Sequence, residues 1–254
     1  AGTLCTREMV RFVRQRSRII GALLQPLVFW LLLGAGLGAS FRPSGMPGHV
    51  TYAQYFYPGT IVLVLLFSAI FSTISTVEDR KTGFLQGVLV APISRNTIVL
   101  GQSLGGTVLA LVQGAIFLAL APLAGIPLDA RAAVVTFGLM AVVAFALTNI
   151  GLAIAWRIDS TQGFHAIMNL ILLPMWMLSG AFFPLTGAPG WLAWTMRLNP
   201  LTYAMSAIRH SLYLAQPTLA GPTPEFGRSV LIAIAFAVFA YLLATRTARN
   251  AVVA

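Results

Sequence analysis

The sequence predicts an all-α, polytopic membrane protein with six transmembrane helices, and three observations predict it. Only 9% of the 254 residues are charged, against roughly 25% in soluble domains, which is too few to cover a water-exposed surface. Hydrophobic residues make up 58% of the chain, and its mean hydropathy is +0.85. The apolar residues also fall in blocks long enough to cross a bilayer, which takes about 20 residues per helix.

Residues 3–18, ahead of the first block, read as an amphipathic helix lying flat in the headgroup region. Arg7, Arg11, Arg14 and Arg18 recur at helical spacing as one basic stripe, with Cys5, Met9, Phe12 and Val13 roughly opposite. The alternative is an ordinary basic flank of the first span. Spans are expected at 19–39, 54–77, 97–121, 132–156, 163–183 and 229–245. The apolar run Ile19–Ala39 exceeds the roughly 7–15-residue core of a signal peptide, so the first span is read as uncleaved. The chain opens on Ala1 without an initiator methionine, and trimmed first residues are expected. The third span begins after Arg95 and the fourth after Asp129 and Arg131, while Pro174 should kink or break the fifth. Residues 184–228, rich in Pro, Gly and Trp, hold a short helix at Leu201–Leu214 but no clean span.

Lys/Arg placement sets the expected orientation. With the N-terminus inside, Arg7, Arg11, Arg14, Arg16, Arg18, Arg80, Lys81, Arg95, Arg157, Arg246 and Arg249 are cytoplasmic. Arg42, Arg131, Arg197, Arg209 and Arg228 are outside, and this bias puts both termini in the cytoplasm. Tyr52, Tyr55, Tyr57, Trp191 and Trp194 then stand near the outer interface. The formal net charge of +10 fits this topology and anionic lipid rather than nucleic acid. The single cysteine, Cys5, excludes an intrachain disulfide.

The chemistry within the chain is sparse. None of Glu8, Glu78, Asp79, Asp129, Asp159 and Glu225 falls within an expected span, and His165 at the inner end of the fifth has no carboxylate partner to name. An ion-coupled carrier would need such relays. Lys81, the only lysine, is followed by Thr82, but Arg80 stands where a phosphate-binding loop needs glycine, so ATP is not bound by this chain. His49, His165 and His210 are scattered, and no catalytic or metal-ligating set is legible, which also disfavours an enzyme acting on lipid.

The segment Glu78-Asp79-Arg80-Lys81-Thr82-Gly83-Phe84-Leu85-Gln86-Gly87-Val88-Leu89-Val90-Ala91-Pro92 is the densest charge cluster outside the N-terminal stripe. Phe84, Leu85, Val88 and Leu89 follow helical spacing, so 78–90 reads as a short amphipathic cytoplasmic helix ended by Pro92. Such a helix can dock into a soluble partner, or it can be a charged interfacial turn; both readings stand on the residues alone.

This loop, running on into Ala91-Pro92-Ile93-Ser94-Arg95, resembles the characteristic segment of ABC-2 type exporter permeases. Asn199-Pro200-Leu201-Thr202-Tyr203 and Ser179-Gly180-Ala181-Phe182-Phe183-Pro184-Leu185 are similar to segments of the same family, and the likeness covers essentially the whole chain. Within the family it most resembles drug-resistance permeases of the daunorubicin-exporter type. Two positions depart from the pattern: Gly83-Phe84-Leu85-Gln86 replaces a Gly-Thr-Leu-Glu-like core, and Ser206 stands near a common Asp.

The resemblance implies one 1–254 transmembrane domain in the bacterial inner membrane that dimerises and binds two copies of a separate ATPase subunit carrying ATP and Mg. It also implies short helices re-entering from outside after the fifth span. Contact with the ATPase would fall to Glu78, Asp79, Arg80, Lys81, Gly83, Phe84, Leu85, Val88 and Leu89. Gly34 and Gly38, and Gly101 and Gly105, match a small-residue packing pattern that intramolecular packing explains equally well. Phe67, Ser68, Phe71, Asn169, Met175 and Trp176 are candidates to line a substrate path, against the alternative that they pack or face lipid. The implied function is export of a hydrophobic or amphipathic drug, lipid or lipid-like metabolite. Export of a lipid-linked polysaccharide and, in a different class, ion-coupled carriage or a channel are the alternatives.

Overall fold

The structure, a computed structural model, describes Gly2, Thr6, Arg7, Val10 and residues 16–38, 50–83 and 94–250. These form eight α-helices and, among the described residues, no β-strand: α1 (Arg16–Leu37), α2 (Tyr52–Lys81), α3 (Arg95–Leu120), α4 (Ala130–Ala155), α5 (Thr161–Trp176), α6 (Gly190–Leu198), α7 (Pro200–Leu212) and α8 (Phe226–Asn250). A 3-10 turn, Ala121–Ala124, extends α3, and a π turn, Met177–Ala181, extends α5. Six of these units are long and apolar enough to span a membrane. Most of the expected N-terminal helix 3–18 lies outside the described residues, as does 84–93.

Each span from the second to the fifth starts where a side chain replaces a missing helical acceptor. Thr51 and Gln54 form a reciprocal capping box on α2. Ser94, Asp129 and Ser160 cap α3, α4 and α5 by accepting from the N–H three residues on. These caps set the starts a residue or two ahead of the expected ones.

The centre of the bundle is α2, with 94% of its most apolar window buried. It packs against α1, α3, α4, α5 and α7, which together enclose most of its length. Its hydroxyls cause no penalty there: Thr60, Ser68, Ser72, Thr73 and Ser75 donate to carbonyls three or four residues back in the same helix. Helices approach closely at small residues. A Cβ on Gly151 of α4 would lie 2.6 Å from Thr73 Oγ1, and one on Gly106 of α3 would lie 2.6 Å from Thr148 Cγ2. Gly34 sits against Ala53 of the same chain, and Gly101 and Gly105 are buried within it, so these glycines pack intramolecularly.

The fifth span breaks, as the expected kink or break at Pro174 allows, but it does so beyond the proline. The helix runs through Pro174, widens into the π turn and breaks at Gly180, whose φ of +87° only glycine adopts cheaply. The short helix expected at Leu201–Leu214 is α7, Pro200–Leu212, and α6 before it is an element the sequence pattern does not announce. α6 carries exposed Trp191, Trp194 and Leu198, whereas most of α7 is buried.

The close approach makes a direct prediction. Gly151→Ala must displace Thr73, and overpacking of this kind costs ~1–3 kcal/mol, more than the ~0.5–1 kcal/mol alanine gains in a helix. Gly138, on the same helix, faces open space: a Cβ there would meet no heavy atom within 4 Å. In detergent, thermal unfolding followed by size-exclusion fluorescence should show a lowered midpoint for Gly151→Ala and no lowering for Gly138→Ala.

Candidate functional site

Charged side chains organise one end of the bundle. α2 continues through Glu78-Asp79-Arg80-Lys81 and stops where Thr82 N–H bonds back to Glu78 O and Gly83 takes a φ of +75°. The first residues of the expected 78–90 helix are therefore the last turn of the second span. Nothing in the sequence before Gly83 breaks the helix, and Arg80 and Lys81 suit its negative C-terminus. Phe84, Leu85, Val88 and Leu89 lie outside the described residues.

Asp79 and Arg80 are held by contacts within the chain. Arg7 Nη1 and Nη2 grip both oxygens of buried Asp79 at 2.7 and 3.0 Å, tying the N-terminal segment to α2. Arg80 pairs with Asp159 at 2.8 Å and donates to Ala155 O and Trp156 O, thereby capping the C-terminus of α4. Lys81 is exposed and Glu78 half-buried. Beyond the undescribed 84–93, Arg95 donates to Ala248 O and Arg249 O at the end of α8, and Arg249 Nε donates to Asn96. Both ends of the 84–93 segment are thus fastened to neighbouring helices.

At the opposite end, the break in the fifth span frees backbone carbonyls, and specific side chains take them up. Asn199 caps α7 by accepting from Leu201 N–H while its Nδ2 donates to Met175 O. Thr202 Oγ1 lies 2.6 Å from Met196 O and 3.3 Å from Leu178 O. Gly180 O accepts from Tyr55 Oη at 2.8 Å and from Arg209 Nη2 at 3.1 Å. Arg209, only 2% exposed, also donates to Tyr55 O at 3.2 Å and lies 4.1 Å from the centre of the Tyr55 ring. A nook of about 20 Å³, large enough for a single water, lies beside Arg209, Tyr55, Gly180 and Ser206. Ser206, at the position of the common acid, donates to Pro224 O at 2.8 Å and staples the loop before α8.

Six spans, the charged turn that ends the second, and the Asn-Pro-Leu-Thr-Tyr segment set against a broken fifth span point to one family. A family model described as ABC-2 type transporter matches residues 1–213. The chain belongs to the ABC-2 type transporter family. Among curated proteins, it is similar to "Putative transport permease ycf38" of Cyanophora paradoxa. The two are 30% identical over 250 residues, covering 94% of this chain and 86% of that one. It is 26% identical to "Nodulation protein J" of Neorhizobium galegae over 215 residues, covering 82% and 77% of the two chains. "ABC transporter G family member 20" of Dictyostelium discoideum is 27% identical over 162 residues, 62% of this chain and 22% of that longer one.

As an ABC-2 permease, the chain is a multi-pass membrane subunit whose family implies an ABC ATP-binding partner. Within it, the six path candidates separate into two groups. Phe67, Ser68 and Trp176 face the interior: Ser68 donates to Val64 O, and Trp176 donates to Gly59 O while packing edge-on against Phe56 and Phe182. Asn169 is exposed, and Phe71 and Met175 are half-buried. Phe71 stacks on Phe67 and meets the His165 ring edge-on.

Arg209 is not legible in the sequence as part of a site, because an arginine in a loop-rich segment reads as an exposed topology signal. The available clue is its place on a helix next to Asn199-Pro200, where a broken span must find donors. Arg209→Lys keeps the charge but not the planar fork that reaches two carbonyls and the Tyr55 ring. An unmet buried acceptor costs ~1–3 kcal/mol. Thermal unfolding of the purified permease should shift downward by that order for Arg209→Lys, and not for Arg197→Lys on exposed α6.

Proposed function

We propose that this permease exports a hydrophobic or amphipathic substrate, a drug, lipid or lipid-like metabolite, from the cytoplasm or inner leaflet of a bacterial inner membrane. Two copies of the chain form the translocation unit with both termini cytoplasmic, and two copies of a separate ATP-binding subunit supply the energy from ATP and Mg. The observation that carries the reading is the fastened frame around 84–93. Arg80 and Arg95 anchor its two ends on α4 and α8, so force applied to the segment reaches several helices together.

In this reading Phe84, Leu85, Val88 and Leu89 insert into the ATPase, and Glu78 and Lys81 set the register by charge pairing. Asp79 and Arg80 act one step removed, through the contacts that hold the frame. Substrate meets the membrane-facing side of α5, where Asn169, Met175 and neighbouring Phe71 offer one amide among apolar and aromatic surfaces. The exposed apolar face of α1 provides area for a second copy.

Coupling and topology are tested separately. Truncating a buried aromatic anchor costs about 2 kcal/mol, roughly 30-fold in affinity. Phe84→Ala should lose ATPase subunit in a pull-down by about that factor while still inserting in the membrane. Glu78→Ala should assemble yet transport poorly. Parental assembly and transport by both variants would reduce the segment to a charged turn. For topology, single cysteines replacing Gly45 or Pro222, in a Cys5→Ser background, should react with an impermeant thiol reagent in intact cells, and one replacing Asp159 should not. Labelling at 159 alone would invert the orientation.

A further inference from the structure

A groove of about 370 Å³ opens between the ends of α4 and α8 and the start of α5. Its volume falls within the roughly 300–1,000 Å³ of small-ligand sites. Ile150 and Ile154 of α4, Ile167 and Ile171 of α5 and Leu243 of α8 wall it, and Arg157 stands at its mouth. The one other polar wall residue, Thr247, has its hydroxyl bonded to Leu243 O and Ala244 O of its own helix. The groove is therefore an apolar slot with a cation at one end.

Three observations say what fits it. The first is depth. Ile171 lies ten residues in from Thr161, the start of α5, about 15 Å at a rise of 1.5 Å per residue. That is half of a hydrocarbon core of ~30 Å, so the slot reaches through one leaflet. The second is the state of the cation. Arg80 already caps the last carbonyls of α4, and exposed Arg157 makes no side-chain hydrogen bond or ion pair among the described residues. Its side chain lines the groove just past the end of α4. The third is sign. The chain carries a net +10, so a second copy of it is a poor electrostatic match for this end, whereas an anionic headgroup is a good one.

We propose that this groove is a binding site for one anionic phospholipid, its acyl chain against the isoleucine wall and its phosphate on Arg157. The assignment to the inner leaflet rests on the orientation proposed above; the binding itself does not. Nor does it depend on transport, and its lining includes none of the six path candidates.

The test is native mass spectrometry on the full chain in detergent, titrated with phosphatidylglycerol or zwitterionic phosphatidylethanolamine. The parent should retain one phosphatidylglycerol per copy and prefer it about tenfold. Arg157→Gln should remove that preference, a loss of about tenfold or ~1.4 kcal/mol. Arg246→Gln, an exposed arginine of α8 outside the groove, should retain it. Ile171→Trp, which fills the slot from an exposed position, should weaken both lipids. Equal binding of the two lipids by the parent, an unchanged Arg157→Gln, or an Arg246→Gln loss as large as that of Arg157→Gln would overturn the site. So would undiminished lipid binding by Ile171→Trp. Because the readout involves neither ATPase subunit nor substrate, its failure leaves the export reading intact, and failure of the export reading leaves the lipid site intact.

Discussion

A carbonyl released from its helix inside a membrane cannot turn to water, so a broken span survives only where protein donors meet it. That constraint governs the fifth span and most of what surrounds it. Once the chain passes Pro174 and widens into the π turn, Met175, Leu178 and Gly180 present carbonyls that regular helix would have satisfied. Asn199, Thr202, Tyr55 and Arg209 are the donors. The residues of the Asn-Pro-Leu-Thr-Tyr segment follow from this requirement: a cap with a spare amide, a proline at the first helical position, an apolar anchor, and a hydroxyl. Tyr203 closes the unit by donating to Arg197 O at the end of α6.

The two ends of the bundle are held by different physics. The break in the fifth span relies on hydrogen bonds from side chains to carbonyls, buried and shielded from salt. The other end relies on charge: Arg7 with Asp79 and Arg80 with Asp159, the latter pair half in water because Asp159 is 84% exposed by its side chain. Exposed ion pairs contribute at most ~1 kcal/mol and weaken with ionic strength. An interaction of that size can be rearranged by a docking protein that brings charges of its own. The carbonyl network cannot be rearranged so cheaply, since each donor lost strands a buried acceptor.

Much of this is legible from residues. Apolar length locates all six spans and the long interruption before the last, because hydropathy measures the hydrocarbon slab directly. It underestimates helix length for the same reason: α2 begins at Tyr52 and runs to Lys81 because a capping box and a cationic last turn extend helix beyond the slab. α6 escapes such a reading because nine residues between Pro189 and Asn199 carry no period long enough to recognise. Arg209 escapes it because counting positive charges assumes that each faces water. Trp176, Ser68 and Phe67 qualify as path candidates on chemistry alone, and chemistry alone does not say which side of a span is occupied. The packing of α2 on every side decides that, and no property of its own sequence short of the whole bundle contains it.

The path candidates nonetheless share one feature that packing makes meaningful. All six lie on α2 or α5, the two helices that run from the charged end to the break at Gly180 and pack along one another. α2, with 30 residues, is about 45 Å long and has Asp79 and Arg80 near one end and Tyr55 near the other. α5 starts two residues after Asp159, the partner of Arg80, and ends in the turn whose Gly180 carbonyl Tyr55 and Arg209 hold. A shift of α2 along α5 would therefore strain the ion pair at one end and the carbonyl network at the other. The half-exposed Arg80–Asp159 pair is the weaker of the two, so it yields first. Movement at the Arg80–Asp159 pair therefore leaves the Gly180 carbonyl network in place.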